Sequence, residues 1–246
     1  MRYARIAATV LLLVACGGPA ASPTAIPATP APTPTSLPSS GAIPVPSNPA
    51  GTGTLGPFNG TGVHVGVYFI NEGGLRYTFT VPASGWWTNN YPDFLAIGKV
   101  HGDNGPMTRL FILDDDGGDV FTDACHWKTT ELVPGPTVDD LVAALAAVNG
   151  FESSGLSDAT VGGYSAKHVR LTVPADANMA TCDEGTYQGL HAFSDIQAGQ
   201  VEDFWVFDAD GTRHVVWSPF DGNTPADAQA ELTQLINSLQ IEPATP

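Results

Sequence analysis

Positive charge is scarce in this chain. Nine Lys and Arg stand against 25 Asp and Glu among 246 residues, a formal net charge of −16. Two of the nine bases, Arg2 and Arg5, lie at the extreme N-terminus, and without them the balance falls to −18. Such a surface repels phosphate backbones and anionic headgroups, which excludes nucleic acid as an expected partner and leaves solubility as the simplest role of the acid excess. Long apolar runs are also lacking. Ile6 to Val14 is too short to span a bilayer, and no later stretch approaches the ~18 apolar residues a helical span requires. The signatures of several chemistries are missing as well. No His-Glu-x-x-His occurs, and the six histidines are scattered singly. Gly73-Gly74 and Gly162-Gly163 lack the downstream Lys-Ser/Thr of a phosphate-binding loop. The nearest string to a Gly-x-Ser-x-Gly nucleophile turn, Gly163-Tyr164-Ser165-Ala166-Lys167, has no final glycine and runs on into a strand. No catalytic residue, cofactor or metal is therefore expected.

What is present at the N-terminus is an export address. Residues 1–15 have a basic start, a short apolar core and a small residue, Ala15, at the end, which is the layout of a cleaved signal peptide. Leu13-Val14-Ala15-Cys16 resembles the bacterial lipobox, in which cleavage before the cysteine exposes a thiol that carries a diacylglycerol. More than one acyl chain suffices for stable anchoring where one is marginal. The expected location is the outer face of the bacterial cell membrane, with the membrane itself as the first partner. Residues 16–52 read as a tether. From Gly17 to Ala50 there is no charged residue, and 10 of the 21 prolines fall there, interleaved with Ala, Ser and Thr. Such a chain cannot bury a core, and at about 3.1 Å per residue it reaches up to ~105 Å. Residues 53–246 are left as one globular domain.

With Cys16 assigned to lipid, Cys125 and Cys182 remain as a pair in an oxidising compartment, and a disulfide is expected. It closes a loop of about 58 residues, worth on the order of 4 kcal/mol in the chain-entropy description. Two cysteines without Cys-x-x-Cys spacing make a poor metal site.

Along the domain, residues 62–70, 77–81, 94–100, 108–113 and 164–173 carry strand patterns, with a turn at Asn71-Glu72-Gly73-Gly74. Residues 201–208 and 212–217 flank Ala209-Asp210-Gly211, a strong hairpin signal. Phe204-Trp205-Val206-Phe207 is apolar on both faces, as in a central strand covered on both sides. A helix is expected after Pro136, capped by Thr137 with Asp140 completing a capping box and Val138, Leu141, Val142, Leu145 and Val148 as its stripe. A second begins at Thr224-Pro225 with Ala228, Leu232, Leu235, Ile236 and Leu239 as its stripe. The expected class is α+β: a mostly antiparallel sheet flanked by two long helices in an α/β/α sandwich.

Phe79-Thr80-Val81-Pro82 followed by Gly85-Trp86, with Gly163-Tyr164 and the terminal helix before Ile241, resembles the PsbP/Mog1-like superfamily. Cys125-His126-Trp127, Gly135 to Leu141 and Cys182-Asp183-Glu184-Gly185 are similar to motifs of uncharacterised bacterial lipoproteins. Together these cover roughly Tyr77 to Glu242. The resemblance implies the sandwich fold but no site, because members of that superfamily differ widely in function.

Three constellations remain as candidates. Trp86, Trp87, Tyr91 and Trp127 are a possible binding groove for a lipid, glycan or peptide, although aromatics beside Pro and Gly more often cap a core, and the expected partner beyond the membrane is an unknown protein, peptide or glycan. Asp114 to Asp119 clusters carboxylates but has Asp119 where a calcium loop needs glycine, so a solvated hairpin loop is favoured. His168, His191 and His214 lie on strand-like segments, with chance placement the simpler account. The reading is a noncatalytic binding or assembly module of unknown ligand, with an unrecognised cell-envelope hydrolase as the alternative.

Overall fold

The computed structural model describes residues 53–54, 62–90, 94–103, 105–113, 118–190 and 196–244. The expected signal peptide, Cys16 and the whole of the expected tether lie outside these residues, as do Tyr91, Asp114 to Asp116, and His191. In chain order the strands are β1 (Gly53–Thr54), β2 (Gly62–Val63), β3 (Gly66–Glu72), β4 (Leu75–Val81), β5 (Trp86–Asn90), β6 (Phe94–Val100), β7 (Met107–Leu113), β8 (Val120–Phe121) and β9 (Glu131–Leu132). Helix α1 (Val138–Ala146) precedes β10 (Glu152–Val161), β11 (Tyr164–Thr172), β12 (Val201–Ala209) and β13 (Thr212–Phe220), and α2 (Ala226–Asn237) precedes β14 (Gln240–Pro243).

Three sheets result among the described residues. The largest has eight strands in the order β10-β11-β12-β13-β7-β6-β5-β2, every neighbouring pair antiparallel. A four-stranded sheet, β1-β3-β4-β14, has one parallel pair, β1 with β3. β8 and β9 form the third. Side-chain alternation gives the large sheet a hydrophobic core on each face. On one face Trp86, Leu95, Ile97, Leu110, Ile112, Phe207 and Val216 pack with Tyr77 and Phe79 of the small sheet and with Leu232 and Leu235 of α2. On the other, Phe111, Val169, Leu171, Phe204, Val206, Val215 and Trp217 pack with Leu141, Val142 and Leu145 of α1. The doubly apolar strand is thus central, with Phe204 and Val206 in one core and Trp205 and Phe207 turned to the other.

The expected fold class requires correction. The helices are not long: α1 has nine residues and α2 twelve. The face assigned to a flanking helix carries a second sheet as well, so the molecule is not a sheet sandwiched between two long helices in an α/β/α arrangement. Two physical causes explain the difference. The apolar stripes outrun the helices, since Val148 and Leu239 lie beyond the last helical residues, Ala146 and Asn237, and are buried in the two cores from the chain that follows each helix. The strand expected over residues 62–70 is also broken: Gly62–Val63 pairs with β5 in the large sheet, while Gly66–Glu72 pairs with β4 in the small one.

The local signals are realised where short-range chemistry dictates them. Thr137 accepts from the Asp140 N–H at 3.1 Å, and the Asp140 carboxylate accepts from the Thr137 N–H at 3.0 Å, completing the capping box of α1. Between β12 and β13, Asp210 and Gly211 have φ of 54° and 82°, the left-handed pair of a two-residue hairpin turn. Cys125 and Cys182 are joined in a disulfide with Cα atoms 4.5 Å apart. A Lys99–Glu231 ion pair at 2.6 Å and a hydrogen bond from the Thr80 N–H to Ser238 Oγ at 2.8 Å fasten α2 and the turn after it to β6 and β4.

Candidate functional site

The site is built where three adjacent strands pass beneath α2. On β11, alternation places His168 and Arg170 on the α2 side while Val169 and Leu171 enter the opposite core. The ladder sets Trp205 opposite His168, Asp203 opposite Arg170, and Ser218 opposite Asp203. Leu232, Thr233 and Ile236 of α2 close the other side, enclosing a cavity of about 290 Å³ also lined by Phe220. That volume matches the small end of ligand-binding cavities.

Asp203 is the hub. Its side chain is 5% exposed and accepts three hydrogen bonds: Arg170 Nε to Oδ1 at 2.8 Å, Arg170 Nη2 to Oδ2 at 2.6 Å, and His168 Nε2 to Oδ1 at 2.8 Å. Burial pushes this carboxyl up, but the hydrogen bonds and charges of His168 and Arg170 outweigh it and hold the group below the usual aspartate value. The acid is therefore a fixed anion that orients its neighbours. The aromatic walls are close by: the His168 and Trp205 rings lie 4.9 Å apart, and the Arg170 guanidinium carbon sits 5.9 Å from the centre of the Phe220 ring. Ser218 is buried and donates its hydroxyl to the Arg109 carbonyl at 3.0 Å. No hydrogen bond joins His168 to a hydroxyl or thiol among the described residues. The arrangement can bind and orient a ligand, and it holds no activated nucleophile of the described residues.

Glu202, one residue earlier on β12, takes the opposite face. It is fully buried and accepts from Gln200 Nε2 at 2.6 Å and Trp217 Nε1 at 2.5 Å. Burial pushes its carboxyl up to about 7, against the opposing charge of Arg109 and those two hydrogen bonds. Phe204 and Phe111 stack on Trp217, with ring centres 5.7 and 4.6 Å away, which ties this acid into the core under α1.

The residues singled out from sequence are dispersed. Trp86 and Trp87 point to opposite faces, as neighbours on a strand must: Trp86 is wholly buried in the core under α2, while Trp87 is half-buried against the other core, over Gly98, where no Cβ would fit. Trp127 lies in a 3-10 turn, 5.7 Å from the Phe121 ring. The described aromatics of the expected groove are thus divided between faces. Of the histidines, His168 enters the cleft, whereas His214 is buried beside Phe207, where burial lowers its basicity. Ser165 is exposed near the β11 end, opposite Thr160. No group of three or more potential metal ligands occurs among the described residues. Sequence reasoning missed Asp203, Arg170 and Glu202. Their signal was Glu202-Asp203 at the head of Phe204-Trp205-Val206-Phe207: a strand covered on both faces must bury one carboxyl on each.

No family model matches the chain, and no curated protein matches it. Among solved structures, the chain is similar to the one described as the crystal structure of LpqN, involved in cell envelope biogenesis of Mycobacterium tuberculosis. The two share 15% identity at a TM-score of 0.28, over 74% of this chain and 90% of that one.

Proposed function

We propose that this protein is a lipid-anchored, extracytoplasmic, noncatalytic binding module whose ligand site is the cleft beneath α2. The anchor reading rests on the basic start, the short apolar core and Leu13 to Cys16. The Cys125–Cys182 disulfide supports an oxidising compartment. The uncharged Pro/Ala/Thr-rich composition of residues 16–52 suits a tether on which a domain searches for a partner near the membrane. The observation that carries the binding reading is Asp203. Its carboxylate is committed to Arg170 and His168 at the floor of a small aromatic-walled cavity, so the polar groups are held in place for recognition.

A fragment screen followed by NMR tests this, with the Trp205 indole N–H and the His168 ring as reporters. Hits that saturate and shift those signals are expected. A screen whose saturable hits all map elsewhere overturns the site. The Asp203–His168 hydrogen bond favours a second reading, a hydrolase in which His168 is the base. Turnover of fluorogenic esters, amides or glycosides that disappears in His168→Gln would establish it in place of the first.

A further inference from the structure

Resting on the cleft as the ligand site, we infer that its ligand is a small organic acid, with its carboxylate on the outward edge of the Arg170 guanidinium and its apolar body between Trp205, Phe220 and Ile236. The argument begins with the number of donors. A guanidinium carries five N–H groups in one plane and can pair along two edges. Arg170 spends Nε–H and one Nη2–H on Asp203. Among the described residues its end-on edge, one N–H from each Nη, is left unspent, and the side chain is 49% exposed, so this edge is reachable. The buried Asp203 and the Phe220 ring hold the plane in one orientation, so a second planar bidentate partner meets a fork that is already arranged.

Charge selects among anions. Asp203 lies one guanidinium away and the chain as a whole is at −16, so a dianion such as a phosphate ester is penalised relative to a monoanion. The walls select the remainder of the ligand. Trp205, Phe220, Leu232 and Ile236 present ring and alkyl surface, and a cavity of about 290 Å³ accepts a body of one ring or a short branched chain.

The test titrates the mature chain, carrying Cys16→Ser, with benzoate, benzamide and phenylphosphonate, and follows the Trp205 indole N–H and the backbone N–H groups of β11 and β12 by NMR. Benzoate is expected to saturate these shifts, with benzamide and phenylphosphonate at least tenfold weaker. Arg170→Lys, which keeps the charge but loses the fork, is expected to weaken benzoate about tenfold. This comparison within the wild-type chain stands even if Arg170→Lys proves too unstable to study. Benzamide binding the cleft as tightly as benzoate overturns the acid while leaving the cleft as a ligand site. Phenylphosphonate binding more tightly than benzoate overturns the monoanion preference and with it this inference. Benzoate that leaves these signals unmoved, or moves only signals outside the cleft, also overturns it, and the fragment screen then decides independently whether the cleft binds anything.

Discussion

Glu202 and Asp203 are chain neighbours with opposite acid–base character, because alternation sends one into a sealed core and the other to a guanidinium. Asp203, held low, contributes stability that is lost as pH falls through its depressed pKa. Glu202 works the other way. With its folded value near 7 against an ordinary 4.5, its contribution is fully present below about 4.5 and is lost as pH rises to about 7, above which it is level. Ionising it inside the fold costs about 3 kcal/mol in the alkaline plateau. Glu202→Gln mimics the protonated acid and leaves an amide to meet Gln200 and Trp217. It is expected to flatten the decline in stability between pH 4.5 and 7 and to raise stability above pH 7, as read by urea denaturation across that range. An unchanged pH profile in this variant would mean that Glu202 ionises freely in the fold. Side-chain identity alone did not mark these acids as buried. That information lies in the four apolar residues after them, which require cover on both sides of the strand.

At the scale of elements, legibility followed the range of the forces. The α1 cap and the Asp210-Gly211 turn were readable because each is decided within four residues. Strand β10 was not: Glu152-Ser153-Ser154-Gly155-Leu156-Ser157-Asp158 is polar and almost wholly exposed, with a bulge between Ser153 and Leu156, and its pairing comes from β11 alone. An edge strand with one neighbour needs no apolar alternation of its own. The disulfide closes a different kind of element, the turns around residues 123–130 and 178–188. There the backbone already exchanges Asp183 N–H to Cys125 O at 2.8 Å and Gln188 N–H to Ala124 O at 3.0 Å. Losing the bond leaves these contacts available and frees the unfolded chain. Cys125→Ala, Cys182→Ala and the double variant are each expected to lower stability by about 2–4 kcal/mol in denaturant titrations, with the double no worse than either single. Additive losses would show that the thiols act separately.

For the whole molecule, patterning conveyed a domain rich in antiparallel strands, but not its layering. Alternation located seven strand-like segments, half the number of strands among the described residues. Which of them share a sheet depends on contacts far apart in sequence, as when the chain leaves β2 in the large sheet and enters β3 in the small one within three residues. The proposed anchor belongs to this scale too. Cys16→Ser is expected to abolish labelling by a clickable fatty acid and to move the protein from the membrane to the soluble fraction. Labelling that survives the substitution would overturn the anchor. The two cores differ in cover, one beneath α2 and a second sheet and the other beneath α1, yet β12 and β13 send alternate side chains into both. Neither core can melt alone without stripping one side of a hairpin that the other still holds, so the free energies of the two faces are coupled through the same eighteen residues. Heat must take both cores or neither.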